Sequence, residues 1–282
     1  MLGFSLSRLQ DFNYDKLFSI NIAPGYMYYF SRGSYRVGMI LHLAGALPAG
    51  ILMVLQFTPV IRHKFLLFHR INGYVVLVLL LVSNVAACIV LRHNHGGSRI
   101  AAQTSEAFLV IITTVGIALA WWNIRRLQVD QHRAWMLRTM FYYGTIISSR
   151  VLTEISSYII THMSGYYMVW SCDEIDFLYR QYEMGGFPAD KYPQCLAPNG
   201  TLRVDELVVV DAARFDMEPE RAGASSTVPF GAAVSLSYSL SLPNISSNLS
   251  TVVDQHCAAH NRRRDLPKPN PQGITATAPG QL

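Results

Sequence analysis

Apolar residues come in long blocks from about Val37 to Met163, separated by short basic loops; the chain after Ser164 is mixed, and after Arg264 it is Pro-rich and polar. A bilayer core takes roughly 20 largely apolar residues in helical form, because no unpaired backbone group can face lipid. Four stretches meet that requirement. The first runs from about Val37 to Ile61, with Pro48 tolerable as a kink, and the second, from about Ile71 to Leu91, is the most hydrophobic. The third ends at Trp121 and Trp122, where indoles suit the membrane interface. The fourth, from Met136 to Met163, is long enough but distinctly more polar.

This pattern predicts an all-α fold: a polytopic membrane protein whose four-helix transmembrane bundle is built from two hairpins. It divides the chain into an N-terminal extramembrane segment (1–36), the four-helix domain (37–163), a polar lumenal segment (164–228) and a Ser/Pro-rich tail expected to be disordered (229–282). The opening stretch carries acids and aromatics but no long apolar run, so it does not read as a cleavable signal peptide. The first spanning helix is therefore expected to direct insertion.

Composition agrees with a membrane protein. Only 15% of the 282 residues are charged, and mean hydropathy is positive. A net charge of +5 would make a soluble protein a candidate for nucleic acid. Here the basic residues flank hydrophobic blocks, where lipid headgroups and topology account for them, and no nucleic-acid motif is present.

Loop charge orients the helices. One side carries Arg62, Lys64, Arg70, Arg125, Arg126, Arg133 and Arg138, against Arg32, Arg36, Arg92 and Arg99 on the other. Seven against four places both hairpin loops in the cytoplasm, and both ends of the chain outside it. Three sequons after the fourth helix, at Asn199, Asn244 and Asn248, are usable as glycosylation sites only on the lumenal side. Cys172 and Cys195 flank a Tyr-rich stretch and can close a disulfide in an oxidising compartment. Together these signals predict a glycoprotein of the secretory pathway or plasma membrane; each alone has the plain alternative of a chance sequon or a free thiol. Cys88 is expected to pack within the membrane, and Cys257 has no assignment.

The two hairpin loops correspond. Arg62 to Arg70 reads RHKFLLFHR and Arg125 to Arg133 reads RRLQVDQHR, so both follow Arg-x6-His-Arg. Arg62/Arg125, His69/His132 and Arg70/Arg133 are all 63 residues apart, which points to an internal repeat with His69 and His132 at equal depth. Two such histidines can clamp a haem iron, haem b being the leading cofactor candidate, with Arg62, Arg70 and Arg133 available to the propionates. A divalent metal on His69 and His132 is a second reading. The plainer one is that the His-Arg pairs snorkel to headgroups. Haem ligation requires both imidazole nitrogens about 2 Å from one iron.

On the opposite side His42 and His162 form a candidate second cofactor pair, with His93 and His95 in the intervening loop. This pair is the weaker, since His42 maps onto Ser105 by the same offset. Arg150 and Glu154 form an i,i+4 pair near mid-bilayer, where ionisable groups are costly and face the bundle interior. A self-neutralising staple is the plainer expectation, and a proton or substrate path the functional one. Asn84, Gln56, Gln103 and Glu106 are expected to join the same polar lining. Nucleophile elbows, phosphate loops, HExxH and dinucleotide fingerprints are absent from the sequence.

The blocks HLAGALPAGILMVLQFTPVIRHKFLLFHRINGY and RRLQVDQHRAWMLR, with HRINGY and HRAWMLR the most specific parts, resemble the fungal branch of the DUF2306 predicted membrane proteins over about Pro24 to Cys195. The resemblance implies a multi-pass protein and informs the fold more than any reaction. It also implies an accessory role in a secondary-metabolite pathway, with a pathway enzyme or a redox partner beside the lipid bilayer as the expected partners. Relatives of this kind carry a further apolar helix before the first one here and another after a PFG-like motif. In this chain Met1 begins late, and the PFG at Pro229 runs into a Ser-rich stretch, so a helix at about Val228 to Leu242 would be short. The functional expectation is thus a haem-binding electron carrier, with a non-catalytic accessory or transporter-like protein as its alternative.

Overall fold

A computed structural model describes residues 2–93, 100–214 and 218–240. His95, Arg99, Asn244, Asn248 and Cys257, named above, lie outside the described residues. Four long helices dominate: α1 (Gly33–Phe57), α2 (Leu66–Val90), α3 (Ile100–Arg125) and α4 (Val129–Met163). The first three are long and apolar enough to cross a membrane. The fourth is the longest, and its hydroxyl-rich face keeps it below that measure of apolarity. The chain is a helical, multi-pass membrane protein.

The boundaries have local causes. Proline at 59 disfavours helix at Thr58, so α1 stops at Phe57 and a separate short helix, Pro59–Lys64, precedes α2. No proline stands in the second loop, and α3 runs on to Arg125. The duplication survives in the backbone, since α2 opens at Leu66 and α4 at Val129, the same 63 positions apart.

In lipid both faces of a helix are apolar, and close approach of backbones selects small residues where helices meet. In α2 the side chains of Val75, Val78, Val82, Val85 and Ile89 point outward, while Val76, Leu80, Ser83 and Asn84 are buried. Gly38 of α1 lies against Ile89 and Val90, and Gly45 against the Leu79 carbonyl and Ser83. In the second hairpin Gly116 of α3 lies against Thr139 of α4. Asn84 ties the hairpins together: its Nδ2 donates to Thr113 Oγ1 at 3.1 Å and Thr114 Oγ1 at 2.9 Å, while Tyr143 Oη donates to its Oδ1 at 3.2 Å. A satisfied amide of this kind fixes one packing of the four helices.

Beyond α4 the chain folds into a small cap. Strands β1 (Tyr167–Ser171) and β2 (Leu207–Asp211) pair antiparallel, Tyr167 opposite Asp211, and alternate buried and exposed positions. Helix α5 (Cys172–Gln181) starts in a capping box, the Ser171 hydroxyl accepting from Glu174 N and the Glu174 carboxylate accepting from Ser171 N. Cys172 and Cys195 are joined by a disulfide, with Cα atoms 5.7 Å apart. Helix α6 (Pro219–Thr227) completes the cap. The Trp170 ring is 1% exposed and slots between Gly25 and Gly223, either of which would strike it if it carried a Cβ.

Both ends of the chain dock on the bundle. Residues 2–30 form short helical turns that do not stand clear of the bundle. Ser5, in the helix Leu2–Ser7, is buried against Gly50, well inside α1, while Leu2, Leu6, Leu9 and Phe12 point outward. Within the tail that begins at 229 the described part is helical: α7, residues 230–240, packs along α3, inside the span of about Val228 to Leu242 considered for a short helix. Gly231 sits against Ala101, and Tyr238 Oη donates to the Ser105 carbonyl at 2.8 Å. Both numbers rise together, so α7 enters the bundle from the end where α3 begins. Cys88, expected to pack, is exposed.

Candidate functional site

The bundle holds a partly open cavity of about 290 Å³ in the half nearer the cap. All four long helices, α7 and the N-terminal segment contribute to its walls. The lining is largely apolar, with Met39, Leu43, Leu80, Leu109, Phe230 and Val234 prominent. A few polar groups interrupt it: His42 and Ser83 across α1 and α2, Glu106 on α3, Tyr143, Ser149 and Arg150 on α4, and Asp11 from the N-terminal segment. Apolar walls with a small number of convergent polar groups are the usual form of a small-molecule site.

His42 is held in one orientation. Its Nδ1 lies 3.0 Å from the Ser83 carbonyl oxygen and 3.0 Å from Ser83 Oγ, and Ser83 Oγ donates to the His42 carbonyl at 3.2 Å. A proton on Nδ1 serves the Ser83 carbonyl and leaves Nε2 as an acceptor.

Arg150 departs from the expected staple. Glu154 pairs with Arg214, beyond β2, and not with Arg150. Asp11, a second carboxylate whose field reaches Arg150, lies 3.6 Å from Arg8 and takes a long contact from Asn21 Nδ2 at 3.5 Å. Glu106 also acts on Arg150 electrostatically. The Phe230 ring lies near Arg150, its centroid 5.9 Å from the guanidinium carbon. The Arg150 side chain is exposed on the cavity wall.

Other expected polar positions divide. Asn84 and Glu106 do line the cavity. Gln56 and Gln103 act elsewhere as staples, Gln56 Nε2 donating to the His69 carbonyl at 2.9 Å and Gln103 Nε2 to the Arg92 carbonyl at 2.8 Å. Tyr143, Ser83 and the wall supplied by residues 4–23 carry no motif that would mark them in sequence. The outward apolar spacing of Leu2, Leu6 and Leu9 was the available sign that the opening segment lies against the bundle.

Of the histidines expected to bind a cofactor, His42 lines this cavity, while His69, His132 and His162 are placed apart from it. His69 and His132 each lie in the first turn of their helix, as the repeat implies, and neither lines the cavity. His132 Nδ1 is 2.8 Å from the Ala120 carbonyl of its own hairpin. Arg70 and Arg133 are exposed beside them. His162 is exposed at the far end of α4, its Nδ1 2.9 Å from the Tyr158 carbonyl, so it does not join His42 in the cavity lining. His93 stacks on Tyr29, with ring centroids 4.4 Å apart. Among the described residues no three His, Cys, Asp or Glu side chains cluster as a metal site.

Residues 18–30, the lid, line the cavity with Phe18, Ile22 and Tyr26 and are fastened to the cap. Tyr28 Oη donates to Asp173 Oδ2 at 2.7 Å, Tyr29 Oη donates to Glu174, and Gln181 Nε2 donates to the Ser19 carbonyl at 3.0 Å. Burial pushes the Glu174 carboxyl above its ordinary range, against the hydrogen bonds from Tyr29 and Ser171 that favour its charged form. The same burial, reinforced by Glu174, raises the Tyr29 hydroxyl.

No curated protein and no solved structure matches the chain. A family model does match, from Met39 in α1 to Cys172 at the start of α5, and so spans the cores of both hairpins but not the N-terminal segment or α7 that complete the cavity wall. Over those residues the chain is similar to the family described as predicted membrane protein (DUF2306).

Proposed function

We propose that this multi-pass protein takes a small, mainly apolar molecule from the membrane into the cavity between its hairpins. The observation that carries the reading is the cavity itself, mainly apolar-walled, lined in part by elements from both ends of the chain and supplied with a few polar groups. It accords with the accessory or transporter-like alternative, in which α4 matters more than the His-Arg motifs. The test uses the full chain in lipid nanodiscs and 1-decanol bearing a mid-chain diazirine. Photolabelling is expected on peptides of α1, α2 and α4 that line the cavity, and Ala46→Phe, which fills it, should abolish the labelling with thermal unfolding preserved. Labelling confined to the lipid-facing valines of α2 would sink the idea.

The haem reading has narrower support. The Nδ1 contact from His132 to the Ala120 carbonyl is the kind that orients a ligating imidazole and leaves Nε2 for a metal. Expression with haem supplied, followed by an absorption spectrum of the purified chain, decides it: a Soret band lost in His69→Ala/His132→Ala supports a shared haem, and its absence from the parent chain ends the idea.

The exposed Asn199 turn, the Cys172–Cys195 bond and the basic hairpin loops together support a lumenal cap and cytoplasmic loops.

A further inference from the structure

We infer that the molecule held in the cavity carries an anionic head, a carboxylate or its equivalent, seated on Arg150; this rests on the cavity being a binding site. The argument is one of missing charge. Three carboxylates act on Arg150. Glu154 is committed to Arg214 at the rim, and Asp11 lies closer to Arg8. Glu106 acts on Arg150 through its field. The guanidinium is left with an aromatic neighbour and no acceptor among the described residues. It lines a chamber whose walls are mainly apolar and also carry Asp11, His42, Ser83, Glu106 and Tyr143.

The Arg150 side chain is exposed where it lines the cavity, so its guanidinium is open to a ligand rather than sealed in packing. An anion entering the cavity restores the pair, and a planar guanidinium accepts a carboxylate in two parallel hydrogen bonds. His42 strengthens the assignment. With Nδ1 turned to the Ser83 carbonyl, its Nε2 is an acceptor, matched to a hydroxyl or protonated group elsewhere on the same molecule. The body of the ligand is set by Met39, Leu43, Leu109 and Val234, which offer only apolar contact.

Diazirine-bearing decanoate, decanol and decylamine separate the possibilities when applied at equal membrane concentration to the full chain in nanodiscs. Decanoate is expected to label the cavity peptides at least tenfold more than decanol or decylamine. Arg150→Gln should remove that preference and leave decanol labelling intact, and Arg150→Lys should retain part of it. Equal labelling by decanoate and decanol in the parent chain, or a preference surviving Arg150→Gln, overturns the anionic head while the cavity stands. No cavity labelling by any of the three overturns both readings. Arg150→Met guards against misfolding, since without added decanoate it should unfold at or above the parent temperature; a markedly lower midpoint would show that Arg150 has a structural partner and would defeat the inference.

Discussion

Glu154 reaches Arg214 in the cap and leaves Arg150, one helical turn before it, without a carboxylate. Arg214 can compete because its backbone is pinned over the end of α4, its N–H donating to Thr161 Oγ1 at 3.0 Å. From there the side chain extends back along the helix to Glu154. The pair itself is exposed, with side chains 40% and 60% accessible, so it contributes little to stability. Its larger effect is on charge balance inside the bundle.

Arg214→Ala tests that effect. The substitution should cost under about 1 kcal/mol in unfolding, as exposed ion pairs do. It also frees Glu154 to turn toward Arg150 at i,i+4 spacing. Decanoate labelling of the cavity should then fall several-fold, because the protein supplies its own anion. Unchanged labelling would mean that Glu154 cannot reach Arg150 and that the cap pair has no bearing on the cavity.

Helix packing gives a prediction independent of any ligand. A Cβ on Gly45 would stand 2.7 Å from the Leu79 carbonyl oxygen and 2.9 Å from Ser83 Cβ, whereas one on Gly144 would meet nothing within 4 Å. Gly45→Ala must therefore push α1 and α2 apart, at a cost of about 1–3 kcal/mol. Gly144→Ala should be neutral or gain up to about 1 kcal/mol from helix propensity. Denaturation in mixed micelles compares the two, and equal midpoints would refute the tight seam.

The bundle was legible in the sequence because lipid leaves few solutions: long apolar blocks must be helices, and the 63-residue offset between His69 and His132 reappears as the offset between Leu66 and Val129. Residues 2–30 and 230–240 are less legible for a physical reason. They are too short and too polar to span a bilayer, and they are ordered only because the bundle offers Gly50, Ala101 and Ser105 as docking points. The Arg150–Glu154 staple failed similarly, since i,i+4 spacing reveals a possible partner but not a competitor that folding brings from elsewhere.

The fastening of the lid depends on pH through Glu174. Its carboxyl ordinarily titrates near 4.5, and burial raises it in the folded chain. The folded state thus keeps its proton to higher pH than the unfolded chain, so the linked stability is full below 4.5 and declines as pH rises through the folded value. Glu174→Gln keeps a capping-box residue and removes the titration. Thermal midpoints taken from pH 4.5 upward should fall for the parent chain and stay flatter for the variant; parallel curves would exclude Glu174 as the source.

Reduction of Cys172–Cys195 should loosen the lid at a distance. The bond closes a loop with a sequence separation of 23, for which chain entropy gives about 3 kcal/mol. Helix α5, which begins at Cys172, holds Tyr28, Tyr29 and Ser19. Hydrogen exchange of residues 18–30 is therefore expected to quicken in Cys172→Ser/Cys195→Ser, while exchange at the Gly116–Thr139 seam stays slow. Faster exchange spread evenly over both would indicate global destabilisation and break the proposed link between cap and lid.

Orientation in the membrane yields the last test. Asn199 lies in an exposed turn closed by Gly200, whose φ of +82° suits glycine, and its Oδ1 accepts from Thr201 N at 3.2 Å and Thr201 Oγ1 at 2.7 Å. The sequon is thus presented at the surface, in the same cap as the disulfide, on the side opposite the basic hairpin loops. Expressed in a cell that glycosylates its secretory proteins, the chain should carry a glycan at Asn199. Endoglycosidase treatment should lower its apparent mass, and Asn199→Gln should remove the part of that shift that Asn199 contributes. A chain whose mobility is the same with and without the enzyme, in a sample where Cys172 and Cys195 react freely with a thiol reagent, would place the cap in the cytoplasm and invert the assigned topology.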